Sequence, residues 1–342
     1  MSPAPSSSKA AGVACVTLTL LGWSSVPLFL RYFAPYIDAW TANGWRYGIS
    51  ALFWAPLLLV VARGKGLPPG LWRAAMLPSL FNCLGQVCFA WAPYYIKPGL
   101  LTFLLRLQIL FVAAGAFLLF PSERPVMRTS RYRLGLVVVF LGSCGTVLLR
   151  DELPRGGTAF GVLLGILSGL LYGGYGLSVR RNMQGVHPVT AFAAISQYTA
   201  IGMLGLMLLF GRDYGAGAWA LTRFQFALLV VSAFIGIALG HVFYYVAIGR
   251  LGIAVSSGII QLQPFFTGVA SYFLFEERLT VAQWFSGLAA VCGAMLMLST
   301  RRTVASEVRN PAVTSPGAHG REPDSNVLDL ASLPSDPGTR LN

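Results

Sequence analysis

Long apolar runs separated by short polar breaks recur along nearly the whole chain. A bilayer core of about 30 Å takes about 20 helical residues to cross. Runs of that length lie at 11–31, 40–61, 72–93, 98–120, 132–149, 158–180, 188–210, 224–248, 252–275 and 281–299, and each predicts one spanning helix, ten in all. The breaks carry turn chemistry, as in Arg63-Gly64-Lys65-Gly66 with Pro68-Pro69, Pro121-Ser122-Glu123-Arg124-Pro125, and Asp151 through Gly157. The first run, preceded by Lys9 alone, is long enough to span and no small-residue cleavage site follows it, so it reads as a retained helix. Residues 1–10 and 301–342, rich in Pro, Ser, Gly and scattered charge, cannot bury enough apolar surface to offset their ordering entropy and are expected to be disordered. The fold class is an all-α polytopic membrane protein.

The chain also repeats itself. LGQVCFAWAPYYIKPGL at 84–100 aligns without gaps with LGHVFYYVAIGRLGIAV at 239–255, and the register continues from Leu107–Phe111 onto Leu262–Phe266. A one-residue adjustment sets Glu123-Arg124 over Glu277-Arg278. Earlier in each half, Trp23 to Arg31 lies over Tyr172 to Arg180, and Arg46-Tyr47 over Gln197-Tyr198. Two units of five helices each follow, 11–150 and 151–300. An odd number of crossings places the second unit upside down in the membrane. Inverted repeats of this kind build secondary carriers, with the substrate site between the halves near the bilayer midplane.

Composition agrees. Of 342 residues 55% are hydrophobic and 11% charged, against about 25% charged in a soluble domain, and mean hydropathy is +0.65. The net charge of +13 comes from basic residues placed singly or in twos between apolar runs, with no stripe to follow a phosphate backbone, which excludes nucleic acid as a partner. Counted over alternate loops, thirteen Lys and Arg fall on the side of the N-terminus against eight on the other. That bias puts both termini in the cytoplasm and the protein in the plasma (inner) membrane. Cys15, Cys83, Cys88, Cys144 and Cys292 lie in apolar runs without a CxxC pair. No disulfide framework, metal site or cofactor is implied.

Ionisable groups inside hydrocarbon are costly and mark function. No Asp or Glu occurs between Asp38 and Glu123 or between Asp213 and Glu276, which argues against proton coupling through an embedded acid and leaves His241 as the titratable alternative near neutral pH. Arg106 stands out among the bases, eight residues into the fourth run, about 12 Å from its start at ~1.5 Å per residue. Its planar fork suits the anionic end of a substrate. The structural alternative has it bonding helix-end carbonyls or pairing with Glu276 or Glu277. Around it, residues four apart share a helix face: Thr102 with Arg106, Ser257 with Gln261, and Asn82 with Gln86, while His241, Tyr244 and Tyr245 share the eighth run. Such groups avoid lipid and turn inward. Trp23, Tyr172 and Tyr175 open the two halves and supply aromatic walls. Arg46 and its counterpart Gln197 are expected near helix ends, where snorkelling explains Arg46. Gly161, Gly165, Gly169 and Gly173 form a four-residue stripe on the sixth run, suited to close helix packing, with a dimer contact or moving gate as further roles.

The ordered set Trp23…Arg31, Arg46-Tyr47, Ala92-Pro93-Tyr94-Tyr95 and the exit of the fourth run into Glu123-Arg124 resembles the EamA-type drug/metabolite transporter superfamily. The second half carries the likeness further, with Ala247-Ile248-Gly249-Arg250-Leu251, Pro264-Phe265-Phe266, Phe275-Glu276-Glu277-Arg278-Leu279 and Gly287…Gly293. Residues 11–299 share it; Ile109 stands where members usually have Pro, and Arg31 where they have Lys. The resemblance implies a ten-helix inverted-repeat carrier, termini in the cytoplasm, exporting small metabolites or drugs through a central cavity. Its partners are then a small-molecule substrate and the lipid bilayer, with a homodimer as a further expectation. An anionic group on the substrate is favoured by Arg106. The alternatives are a non-transporting scaffold or receptor and an exporter of hydrophobic cationic drugs. An enzyme would need an acid, thiol or histidine cluster at a helix end, and the sequence offers none.

Overall fold

The computed structural model describes residues 5–64, 66–121, 124–149, 156–251, 256 and 259–309. Every regular element among them is helical. In chain order these are α1 (Pro5–Phe33), α2 (Ala39–Arg63), α3 (Leu71–Trp91), α4 (Pro98–Leu104), α5 (Gln108–Leu119), α6 (Arg124–Met127), α7 (Ser130–Leu148), α8 (Gly157–Asn182), α9 (Pro188–Phe210), α10 (Arg223–Ala233), α11 (Gly240–Leu251), α12 (Gln263–Phe275) and α13 (Val281–Arg309). Contacts divide the chain into a unit Met1–Arg302 and a unit Thr303–Asn342. Most of the second lies outside the described residues, as do Glu123, Asp151, Glu152 and Ser257.

Eight segments among the described residues are long and apolar enough to cross a membrane: Lys9–Phe33, Ala39–Arg63, Leu71–Tyr94, Pro98–Leu119, Ser130–Leu148, Gly157–Asn182, Val189–Phe210 and Arg223–Tyr244. They match the first eight runs of the sequence to within a few residues at each end. A shorter apolar helix, Val281–Met297, occupies the tenth run, and the ninth is only partly described. This is an integral membrane protein.

Side-chain caps set the helix starts. Asp38 accepts from the Thr41 backbone N–H at 3.0 Å and from its hydroxyl at 2.7 Å. Thr222 with Gln225, and Thr280 with Gln283, form reciprocal pairs at the starts of α10 and α13. The outer faces are aliphatic and aromatic, with Leu52, Leu209 and Phe273 about three-quarters exposed. The buried polar side chains include Thr41, Arg46, Ser50, Thr102, Thr199, Ser232 and Thr267. A bilayer demands this arrangement, because polar groups left facing lipid go unsatisfied.

Three runs expected to be continuous are interrupted. The fourth is α4, a 3-10 turn at Leu105–Leu107, and α5. The eighth is α10, a π segment at Phe234–Leu239, and α11. The ninth turns at Gln261–Leu262 before α12. Pro264 explains the last, because it has no N–H to return to the Ile260 carbonyl. The turn at Leu105–Leu107 contains neither Gly nor Pro and is held by tertiary bonds described below.

Along its length α2 packs on α9, α3 on α8, and α1 on α11; α8 also packs on α5, and α1 on α12. The glycine stripe of α8 faces inward, onto the interrupted fourth run. A Cβ on Gly161 would stand 2.7 Å from Tyr95 Cβ and 2.8 Å from Ile96 Cγ2, and one on Gly165 would stand 2.9 Å from Leu104 Cδ1. Within one chain the stripe is therefore already covered. Gly161→Val is expected to overpack this contact at about 1–3 kcal/mol, lowering the thermal unfolding midpoint in detergent. Leu163→Val, on a half-exposed apolar position of the same helix, should leave the midpoint within a degree or two.

Candidate functional site

Arg106 lies on the 3-10 turn between α4 and α5. Its Nε donates to Thr102 O at 3.4 Å. Nη1 donates to Ile260 O at 3.4 Å and Gln261 Oε1 at 3.2 Å, and Nη2 to Gln263 Oε1 at 3.0 Å. One of these acceptors is the product of a chain break, Ile260 O being the carbonyl that Pro264 cannot serve. Gln263 in turn donates from Nε2 to Trp23 O at 2.9 Å, and Thr267 donates to Ser24 O at 2.9 Å. One guanidinium thus ties the broken fourth run to the broken ninth, and the ninth is tied to α1. Thr102, expected on the substrate face, is fully buried and gives its hydroxyl proton to Gly99 O at 2.8 Å.

Trp23, His241 and Tyr244 form an aromatic group beside Gln263. The Trp23 ring is 5.2 Å from both the His241 and Tyr244 rings, and His241 stacks on Phe192 at 4.4 Å with 14° between planes. His241 Nδ1 lies 3.1 Å from Ile237 O, a carbonyl of the π segment. Because that oxygen only accepts, Nδ1 carries the proton. The ring's orientation is set by the π turn. Arg106, Gln261, Trp23, His241 and Tyr244 all retain accessible surface. Tyr245 side-chain placement and Ser257 lie outside the described residues.

A second polar group is centred on Arg46, which sequence reasoning set aside. It is 1% exposed, one turn and more inside α2. Its Nε donates to Ser232 Oγ at 3.1 Å, while Nη1 has no hydrogen-bond partner. A Cβ on Gly236, in the π segment, would lie 3.2 Å from Nη2 and collide with Val26. Only a glycine lets the π turn come this close. Tyr47 faces the side chains of Asn82 and Gln86, and the Tyr172 hydroxyl stands in the field of Arg46 and beside Tyr47. Asn82 Nδ2 donates to Thr199 Oγ1 at 3.1 Å, and Asn43 Nδ2 donates to Gln86 O at 2.9 Å, leaving Asn43 Oδ1 unpaired. The spacing of Asn43, Arg46 and Ser50, three and four residues apart, was the signal in the sequence. It describes one buried face, whereas a snorkelling arginine needs no polar neighbours on its own stripe. Tyr175 belongs elsewhere, packed near Leu71, Met183 and Ile195.

The structure therefore brings the expected residues into two groups. Arg106, Gln261, Trp23, His241 and Tyr244 form one, and Asn82, Gln86 and Tyr172 join Arg46 in the other. No cluster of His, Cys, Asp or Glu suited to a metal ion occurs among the described residues. The chemistry on offer is hydrogen bonding and anion recognition by guanidinium, with aromatic faces alongside.

The sequence matches the EamA-like transporter family twice, over residues 10–148 and 159–299. An uncharacterized transporter of Haemophilus influenzae (strain ATCC 51907 / DSM 11121 / KW20 / Rd) is 23% identical over 207 residues, 58% of this chain and 64% of that protein. The match thus spans less than two thirds of the relative's length. A solved crystal structure of a protein 17% identical in sequence superposes with a TM-score of 0.58 over 87% of this chain and 99% of the other, which shows the fold.

The Arg106 bridge makes a measurable prediction. Arg106→Gln leaves several buried acceptors short of a donor, each such loss costing about 1–3 kcal/mol. A double-mutant cycle with Gln263→Ala, read by thermal or denaturant unfolding in detergent, should return a coupling of about 1 kcal/mol or more. Additive effects would disprove the bridge.

Proposed function

The chain belongs to the EamA-like transporter family, and on that footing we propose that it is a secondary carrier of small metabolites working by alternating access. Its two units, 11–150 and 151–300, are five-helix inverted repeats set in the inner membrane, with residues 1–10 and 301–342 as extensions into the cytoplasm. The observation that carries this reading is the matched pair of breaks. The register that aligns 84–100 with 239–255 sets Leu105-Arg106-Leu107 on Ile260-Gln261-Leu262. Both positions are interrupted, and Arg106 bonds its own counterpart Gln261. Interrupted spans at corresponding positions of two halves are the mark of a carrier's central site. The packing pairs have the same exchange symmetry: α1 on α11 answers α8 on α3, and α1 on α12 answers α8 on α5.

The substrate carries an anionic group, and the residue that receives it is Arg46. Arg106 spends its donors on protein acceptors, so it holds the two breaks together and its release is part of the rocking motion. Arg46 keeps Nη1 unpaired in a region whose spans contain no acid from Asp38 to Glu123. An unpaired buried donor is costly unless a ligand meets it. Gln86, Tyr172 and Tyr47 supply neutral partners, and Trp23, His241 and Tyr244 wall the accessible side. Export is the favoured direction.

Proteoliposomes test this with counterflow of amino acids, organic acids and hydrophobic cations. At least one carboxylate-bearing solute should exchange, and Arg46→Gln should slow it tenfold or more without lowering the yield of folded protein. Transport of hydrophobic cations alone, indifferent to Arg46→Gln, would move the reading to a cationic-drug exporter. No flux of any solute, with the polar residues replaceable by Leu, would leave a scaffold or receptor.

A further inference from the structure

At one end of the spans the C-terminal turn of α1, the segment between α3 and α4, the start of α8 and the turn between α12 and α13 enclose a cavity of about 480 Å³. Three cations line it, Arg31, Lys97 and Arg278, together with one carboxylate, Glu277. That carboxylate is already engaged. Glu277 is 5% exposed, its Oε2 accepting from Gly99 N at 2.7 Å and its Oε1 from Leu100 N at 2.9 Å, so it caps α4. The left-handed backbone of Glu276, φ 53, turns it inward to do so. Glu276 itself meets Lys97 through its carbonyl oxygen, at 3.0 Å.

The cations are far from saturated. Among the described residues Arg31 gives one bond, from Nη1 to Pro93 O at 2.6 Å, which leaves Nε and Nη2. Lys97 retains protons beyond the one shared with Glu276 O. Arg278 has no hydrogen bond to the described residues and is exposed. Three positive side chains around the single carboxylate of Glu277 leave the chamber with excess positive charge, and that repulsion falls when a further anion joins them. A neutral or zwitterionic occupant would not relieve that repulsion.

A second cavity, of about 460 Å³, shares Glu277, Arg278 and Leu279 with the first but continues along Val269, Tyr272 and Trp284. Val269 and Tyr272 are about half exposed, on the outward apolar face of α12. Arg278 is thus the rim between a cationic chamber at the end of the helices and an apolar groove on the outward face of α12. A free solute anion uses the chamber alone. A molecule that uses both has an anionic head and a hydrocarbon tail.

We propose that these two cavities together bind one anionic phospholipid, its phosphodiester between Arg31, Lys97 and Arg278 and one acyl chain along Val269, Tyr272 and Trp284. The three cations come from segments far apart in sequence. The bound lipid therefore links the end of α1 and the α3–α4 connection to the α12–α13 turn, and stabilises the end that Glu277 already fastens.

The full chain in detergent tests this by its thermal unfolding midpoint. Titrated phosphatidylglycerol is expected to raise it by about 5 °C with saturation. Phosphatidylcholine of the same chains should raise it by less than half as much, and free glycerol phosphate at equal concentration should not move it. Arg278→Gln, an exposed position, should keep the lipid-free midpoint and lose most of the phosphatidylglycerol shift; Arg31→Gln should lose it as well. Arg128→Gln, an exposed arginine between α6 and α7, should retain the shift. Equal shifts with both lipids would overturn the proposal in favour of general amphiphile binding. A matching shift with glycerol phosphate would make the chamber a solute site, and a shift surviving Arg278→Gln would reduce it to diffuse surface charge.

Discussion

In a medium without water, a carbonyl released by a broken helix must find a donor inside the protein, and this requirement organises the centre of the molecule. Two helical runs are interrupted where uninterrupted helices would satisfy themselves. The Arg106 guanidinium gathers Thr102 O, Ile260 O and the amide oxygens of Gln261 and Gln263 into one fan of bonds. The same fan gives a half-buried cation its partners without an acid. Gln263 and Thr267 then pass the connection to backbone carbonyls of α1. Cation and chain breaks sustain each other.

The two arginines divide labour by geometry. Arg106 is surrounded by oxygen acceptors and has accessible surface; Arg46 is sealed, bonded through Nε to Ser232 and left with a bare Nη1. The first holds elements together, and the second keeps a donor that the protein itself does not satisfy. The intervening π segment serves both groups, bringing Gly236 against Arg46 and directing Ile237 O to His241. π turns of this kind are often found at functional positions.

The spans were legible because twenty apolar residues in a row have few other fates, and the caps at Asp38, Thr222 and Thr280 are local chemistry. The break at Leu105–Leu107 was not legible: nothing in that stretch disfavours a helix, and its cause lies on residues more than 150 positions away in the chain. The break before Pro264 could be read, since the missing N–H is written in the sequence. Arg106 was visible as an anomaly, and Thr102 and Gln261 were placed on the polar faces around it; Gln263 was not, because it is an ordinary residue until the fold sets it opposite. Arg46 shows the reverse. Its polar stripe was present in the sequence, yet its burial depends on what covers α2: Ser232 and Gly236, far along the chain, close over the guanidinium.

The π segment has one more consequence. A turn that holds an extra residue advances the helix by about 100° relative to an uninterrupted one. Ser232, before it, looks toward Arg46, and Tyr244, after it, looks toward Trp23. The phase offset is what lets a single rod serve two neighbours that lie in different directions. Segment 234–239 is therefore constrained in length as well as at Gly236: removing one residue would turn the downstream half away from its aromatic partners.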